Sequence, residues 1–207
     1  MLIFMKHAKK FLDLKGDSER LHALHYADGR VYALDGYMLV WLDGGFGKRG
    51  SYDFVTGAEI EEQMPAFEKV IPPVDSSSVY VTVCAWEIEK LYKVLKGILA
   101  MFAKEKNALS VQMTYESTGL TIEMIMPQLH VRYKVMGVMS NPTHGEPPRA
   151  RVAVSRFADI IGYFVQRGTE LRLYAPLRVS RQTSILFTAE RTGAVLSQQR
   201  DTTIYKT

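Results

Sequence analysis

Few side chains in this sequence could carry acid-base, nucleophilic or metal chemistry, and they form no recognised catalytic arrangement. His22 and His25 are three residues apart on a predicted strand, so they face opposite sides of a sheet rather than one metal ion. Cys84 comes just before a predicted helix but has no histidine partner, so we expect it to be buried and unreactive. Asp28 and Asp35 belong to Asp-Gly turns, where carboxylates bond nearby backbone amides. The sequence therefore predicts no enzyme, no metal site and no cofactor.

Two other patterns each have a binding interpretation and a structural one. The run Gly44-Gly45-Phe46-Gly47-Lys48-Arg49-Gly50 lacks the order of a phosphate-binding loop, so it predicts a flexible, basic hairpin tip. Tyr26, Tyr32, Tyr37 and Trp41 lie on two predicted strands. They either stack on single-stranded nucleic acid or pack within the sheet, and packing is favoured. A hydrolase with an unrecognised site is the least favoured class, because it would need converging acidic side chains.

Basic residues on predicted helices are the remaining candidates for function. The clearest helix spans residues 85–104, where apolar residues recur every three or four positions and lysines lie mainly on the other side. A second helix is predicted over 155–167, with Ser155 as its N-cap and Gly168 at its end, and a third over 6–15. The helix cations that could contact phosphate are Lys6, Lys9, Lys10, Lys90, Lys93, Lys96, Arg156 and Arg167. Each has a second interpretation as ordinary solvated surface.

The composition is typical of a folded chain that stays inside the cell. Of 207 residues, 47% are apolar and 23% are charged, which excludes wholesale disorder and fibrous repeats. The single cysteine cannot form an internal disulfide, and no apolar run approaches the ~20 residues of a membrane span. We therefore expect a cytoplasmic protein without membrane contact. The net charge of +4 permits attraction to phosphate but does not by itself indicate it.

One structural unit is predicted to occur three times along the chain. Each predicted helix is followed by strand-rich runs with alternating polarity and tight turns, over residues 21–42, 109–135 and 170–197. Neighbouring strands joined by such short turns pair antiparallel. The sequence therefore predicts helices combined with antiparallel sheets, rather than a parallel sheet with crossover helices.

Two segments carry a resemblance to a known family. Residues 27–40, with Asp28-Gly29-Arg30 between two strands, resemble the Thr-Asp-Gly-His-Arg-Leu-like turn of the bacterial DNA polymerase sliding clamp (the DNA polymerase III beta subunit). Residues 64–72 resemble that family's Phe-Pro-Asp-Tyr-x-x-Val-Leu-Pro linker into its last domain. Residues 193–200 lie where the family ends with a Tyr-Val-Val-Met-Pro-Met-Arg-like strand, although the Met-Pro pair is missing here.

The resemblance implies a reduced clamp with an α+β, DNA-clamp-like fold, built from repeated helix-plus-antiparallel-strand units with the helices on one face of the sheets. The spacing between Leu42 and Pro65 is too short for a full clamp domain. Residues 1–64 are therefore expected to be a truncated half domain and residues 65–207 a complete one. In the family the helices line a ring and contact double-stranded DNA without reading bases. The resemblance thus implies a processivity factor that forms a homo-oligomer around DNA and tethers a polymerase.

The family also has a groove that accepts short peptides of polymerases and other clamp-binding proteins. The residues that would line it by position are Leu34, Tyr37, Leu39, Pro65, Val70, Val195 and Ser197. Met38 stands where the family usually has arginine. Each groove residue has a second interpretation as an ordinary core or strand residue. The alternative function is a clamp-fold binding module that captures such peptides without encircling DNA.

Overall fold

The computed structural model describes residues 1–61, 63–105, 108–126, 129–142, 145–179 and 182–199. The α-helices of the described residues are α1 (Leu2–Ala8), α2 (Glu19–His22), α3 (Ala85–Met101) and α4 (Val154–Arg167). Helix α3 buries Ile88, Leu91, Leu95 and Ile98, which recur at the three- and four-residue steps of one helical face. Gly168 ends α4 in the left-handed conformation, with φ of 65°, and its amide bonds two carbonyls of the last turn.

The strands of the described residues pair antiparallel throughout. They are β1 (Ala23–Ala27), β2 (Gly29–Leu34), β3 (Met38–Phe46), β4 (Gly50–Asp53), β5 (Glu59–Ile60), β6 (Tyr80–Val83), β7 (Ser110–Glu116), β8 (Gly119–Met126), β9 (Leu129–Met136), β10 (Val138–Ser140), β11 (Arg149–Ala153), β12 (Leu171–Tyr174), β13 (Leu177–Val179), β14 (Gln182–Ala189) and β15 (Thr192–Ser197). The predicted hairpins around Asp28-Gly29, Asp35-Gly36 and Gly119 are confirmed.

A long sheet joins the two ends of the chain. Its order is β10-β6-β12-β14-β15-β3-β2-β1-β4-β5, with β13 added beside β14. The junction is the pair β15 and β3, where Val195 lies opposite Leu39. Strands from the first 60 residues therefore continue directly into strands from the last 40. A second, four-stranded sheet has the order β11-β7-β8-β9.

The main core lies between the helices and the two sheets. Phe4 of α1, Leu95 of α3 and Phe157 of α4 belong to the same buried cluster as residues of both sheets. Helix α4 contacts both α1 and α3, so it lies between them. The expectation of an α+β fold with the helices on one face of the sheets is confirmed, as is the pattern of a helix followed by antiparallel strands in three successive places.

The first helix lies earlier in the chain than the sequence predicted. It spans Leu2–Ala8 rather than 6–15, because Phe4, His7 and Ala8 already provide its buried face. Residues after Lys9 form turns instead of continuing the helix. The predicted N-cap of α4 is also wrong. Ala153 holds that position, and Ser155 is inside the first turn.

Two predictions about single side chains are corrected as well. His22 is the last residue of the short helix α2, whereas His25 is on β1, so the two do not share a strand. Cys84 is exposed rather than buried, because it stands at the N-terminal end of α3 between the sheet and the first helical turn. His144 and Arg200 lie outside the described residues.

Candidate functional site

The candidate DNA-facing surface is the outward side of the helix layer, with α4 in the middle and α1 and α3 beside it. On α1, Lys6 is exposed opposite the buried Phe4 and His7, and Lys9 is exposed just after the helix ends. On α3, Lys90, Lys93 and Lys96 are exposed on the side away from the core. The predicted lysines of α1 and α3 are therefore exposed at positions that do not face the core.

Several of these lysines are already engaged by carboxylates. Lys10 Nζ lies 3.0 Å from Asp159 on α4, and Lys93 Nζ lies 2.6 Å from Glu89 one turn away. Lys90 lies 3.3 Å from the buried Glu87 and 3.8 Å from the ring centre of the exposed Trp86. An exposed pair such as Lys93 and Glu89 is worth about 0–1 kcal/mol, so a phosphate can compete for that lysine.

Three lysines, Lys6, Lys9 and Lys96, form no ion pair with any described residue. They are the cations most available to an external anion. Lys6 and Lys9 lie on one side of α4 and Lys96 lies on the other, since α4 is the middle helix.

The two arginines of α4 do not lie on the open face of the layer. Arg156 is half-buried, and its Nε donates to Asp35 Oδ2 at 3.0 Å while its guanidinium lies 4.2 Å from the ring centre of Tyr37. Arg167 is half-buried at the other end of the helix, and its Nε is buried without an acceptor among the described residues. The outward positions of α4 are instead polar or acidic, with Asp159 and Gln166.

His7 is the titratable group buried inside this layer. Its ring is 5.7 Å from that of Tyr163 and 6.4 Å from that of Phe11, measured between centres. Burial lowers the pKa of His7, and the nearby Lys10 and Lys6 act in the same direction. The residue therefore packs as a neutral aromatic side chain at neutral pH.

The second candidate surface lies on the opposite face of the long sheet, away from the helices. Alternate residues of the same strands, such as Tyr32, Leu39 and Val195, point to this face and form a separate apolar cluster. Residues 64–71, here called the linker segment, cross over it. Phe67 of this segment stacks on Tyr32 with a centre distance of 3.9 Å and an angle of 3°.

Three of the predicted groove residues, Leu34, Leu39 and Val195, pack in this cluster on neighbouring strands, whereas the Tyr37 ring lies 4.2 Å from the guanidinium of Arg156 on α4. Leu34 lies opposite Leu39 in the β2–β3 hairpin, and the amide of Ser197 donates to the carbonyl of Tyr37 at 2.8 Å. Leu39 and Val195 are each 2% exposed and form the floor. Tyr37 is 59% exposed and Val70 of the linker segment is 38% exposed.

The remaining groove residues are intermediate in exposure. Pro65 lies on the linker segment, two residues before the buried Phe67. Leu34 and Ser197 lie at the ends of β2 and β15. The surface open to a partner is therefore a rim around a filled floor, and Met38 is not part of it because it points into the helix-side core.

Phe67 packs at the centre of this surface, and the sequence analysis did not identify it as a site residue. Phe67 is 6% exposed and lies 5.7 Å, centre to centre, from the ring of His25, whose Nδ1 and Ser51 Oγ are 2.7 Å apart. An aromatic residue just after Pro65 was the available signal. His25 is fully buried in this arrangement and serves packing.

Several solved structures have a similar architecture. A beta sliding clamp from Caulobacter crescentus superposes with a TM-score of 0.72 at 15% sequence identity, covering 97% of this chain and 63% of that one. The DNA polymerase III beta subunit of Thermotoga maritima gives 0.70 at 13% identity, covering 97% and 63%. The chain has the fold of the bacterial sliding clamp.

A third clamp, from Pseudomonas aeruginosa and bound to griselimycin, gives a TM-score of 0.66 at 13% identity, covering 95% of this chain and 62% of that one. The chain thus spans less than two thirds of the length of these clamps. No protein-family model and no curated protein matches the sequence. In the described part of the chain, no helix is long and apolar enough to cross a membrane.

Proposed function

We propose that this protein is a reduced, sliding-clamp-like processivity factor that self-associates around duplex DNA and tethers a polymerase. The observation that carries the proposal is the clamp fold, and the exposed lysines of α1 and α3 support it. Cations that contact only phosphates hold DNA without fixing the protein at one sequence, which a sliding protein requires.

Open sheet edges support self-association. Strand β9 is the last strand of the four-stranded sheet, and β5 is the last strand at one end of the long sheet. Arg132 is exposed on β9, where Lys134 pairs with Glu116 at 3.2 Å, whereas β5 begins with the exposed Glu59. Edge strands with opposite charges suit a head-to-tail contact, and repeated head-to-tail contacts close into a ring when the rotation between copies allows it.

DNA binding is tested with two triple variants of equal charge. Lys6, Lys9 and Lys96 are changed to Gln in one, and the exposed Lys15, Lys48 and Lys69, which lie off the outward helix faces, are changed in the other. Each phosphate contact contributes about −0.9 to the slope of log affinity against log salt. We expect the first variant to lose up to about three such contacts and the second to keep the wild-type slope.

Encirclement is tested with nicked circular DNA and the same DNA linearised. A closed ring stays bound to the nicked circle but slides off the free ends of linear DNA. A protein that binds one side of the duplex is retained equally on circular and linear DNA. Light scattering after gel filtration gives the number of copies. A strict monomer without salt-sensitive DNA binding would contradict the proposal.

The second candidate function is peptide capture without encirclement. It is favoured by the apolar cluster on the sheet face away from the helices and by the partly exposed Val70 of the linker segment. Apolar anchors such as Leu or Phe gain about 25 cal/mol for each Å² they bury against such a surface. A labelled peptide with Leu and Phe anchors should bind the wild type and bind Val70→Ala more weakly. Affinity for this peptide without affinity for DNA would select this function over the first.

A further inference from the structure

A pocket of about 240 Å³ lies at the C-terminal end of α4, beside Met1 at the start of α1. It is lined on one side by Leu42 and Phe46 of β3, and on the other by Arg167 of α4 and Arg191 of the β14–β15 turn. This is several times the ~30 Å³ that one water occupies in the liquid, so the pocket has room for a small hydrated ion.

The charge in the pocket is predominantly positive. Asp43 is the acidic residue of its lining, and Arg30 Nε lies 3.8 Å from Asp43 Oδ2. That contact partly neutralises the carboxylate, so the lining keeps a net positive charge from Arg167 and Arg191. Neither arginine forms an ion pair with a described residue.

Arg167 has an unmet hydrogen-bond donor at this place. Its Nε is buried and has no acceptor among the described residues. The neighbouring polar groups are already occupied: Thr192 donates to the carbonyl of Trp41, and the hydroxyls of Thr192 and Tyr163 are 2.8 Å apart. The carbonyls of Phe164 and Val165 accept from Gly168. Because Nε is buried, an occupant of the pocket reaches Arg167 through the terminal nitrogens of its guanidinium, which form no hydrogen bond with a described residue.

We propose that this pocket is an oxyanion site that binds a phosphate group through Arg167 and Arg191. Phosphate matches the guanidinium fork because its oxygens accept two parallel N–H bonds. The phosphate comes either from a free ion or from the backbone of bound DNA. The site does not depend on the proposed clamp function, because free phosphate can occupy it without DNA.

The test is a titration of the full chain with inorganic phosphate that replaces chloride at constant ionic strength, followed by amide NMR. We expect saturable shifts at Gly44 and Gly168, which adjoin the pocket. Arg191→Gln removes an exposed side chain from a turn and should weaken phosphate binding about tenfold or more, the loss expected for one charge-assisted hydrogen bond. Arg172→Gln removes an equal charge on β12 and should leave phosphate affinity unchanged.

A short DNA duplex distinguishes the two sources. If DNA supplies the phosphate, the duplex competes with inorganic phosphate, and Arg191→Gln reduces the salt slope of DNA binding by about one contact. If the source is free phosphate, the variant binds DNA like the wild type. Arg167→Lys, which keeps the charge but loses the fork, should weaken phosphate binding in both cases. Absence of any phosphate effect beyond that of chloride, or equal effects of Arg191→Gln and Arg172→Gln, would overturn the proposal.

Discussion

Replacement of Phe67 by alanine tests whether the linker segment is held on the sheet by one aromatic anchor. Phe67 is 6% exposed and stacks face to face on Tyr32. Large-to-small changes of buried Phe cost about 3–5 kcal/mol, and a stacked aromatic pair adds about 0.5–1.5 kcal/mol beyond burial. Since domains are stable by about 5–15 kcal/mol in total, Phe67→Ala should remove roughly a fifth or more of the free energy of unfolding.

Two measurements follow this change. Trp41 belongs to the same apolar cluster and is buried, whereas Trp86 is exposed, so fluorescence during urea unfolding reports mainly on the cluster. The amide of Ile71 donates to the carbonyl of Phe67 at 2.9 Å. Hydrogen exchange at that amide should accelerate in Phe67→Ala, because the turn that holds the linker segment loses its anchor.

Val70→Ala is the matched control within the same segment. Val70 is partly exposed, so its truncation should cost at most about 1 kcal/mol and leave the exchange of Ile71 unchanged. Equal destabilisation by Phe67→Ala and Val70→Ala, or an unchanged exchange rate in Phe67→Ala, would refute the view that Phe67 anchors the segment.

Three further predictions follow from the packing. Burial lowers the pKa of His7 below its ordinary 6.5, so below that pH the unfolded chain binds more protons than the folded chain. The free energy of unfolding should therefore fall as the pH drops through about 6.5. His7→Leu should flatten this part of a profile of melting temperature against pH. Gly119→Ala places a Cβ against a carbonyl of β9 at a φ of 139°, so it should lower the free energy of unfolding in urea by at least about 2 kcal/mol. The control Gly45→Ala is also at positive φ but in open space, and it should cost about 1 kcal/mol in the same urea assay. Asp35→Ala removes the acceptor of two backbone amides and of an ion pair to α4, so urea unfolding should show a loss of about 2–3 kcal/mol, and a change below about 0.5 kcal/mol would contradict this geometry.

The periodic elements could be predicted well because their signals are local. Apolar residues at three- and four-residue steps predicted α3, and Gly168 predicted the end of α4, since a left-handed residue after a helix is most readily glycine. The tight Asp-Gly turns predicted the hairpins. The position of α1 was missed because the five apolar residues at the start of the chain have no visible period until Phe4 is known to face the core.

The domain boundary at residue 64 and the assignment of the site residues remain predictions. Of the groove residues, Leu34, Leu39 and Val195 pack in one apolar cluster, where Leu39 and Val195 are buried together with Phe67 of the linker segment. A residue pattern predicts which side of a strand is apolar. It does not predict which other segment covers that side.

The amino-acid sequence alone determined the type and order of most elements and the sign of the charge on the helices, because these depend on residues within a few positions of one another. Tertiary structure decided which charges are free. Arg156 is held by Asp35, 121 positions earlier, and Arg167 and Arg191 meet at one pocket only because β3 pairs with β15. Contacts between such distant residues depend on how the sheets and helices pack, and no local pattern encodes that packing.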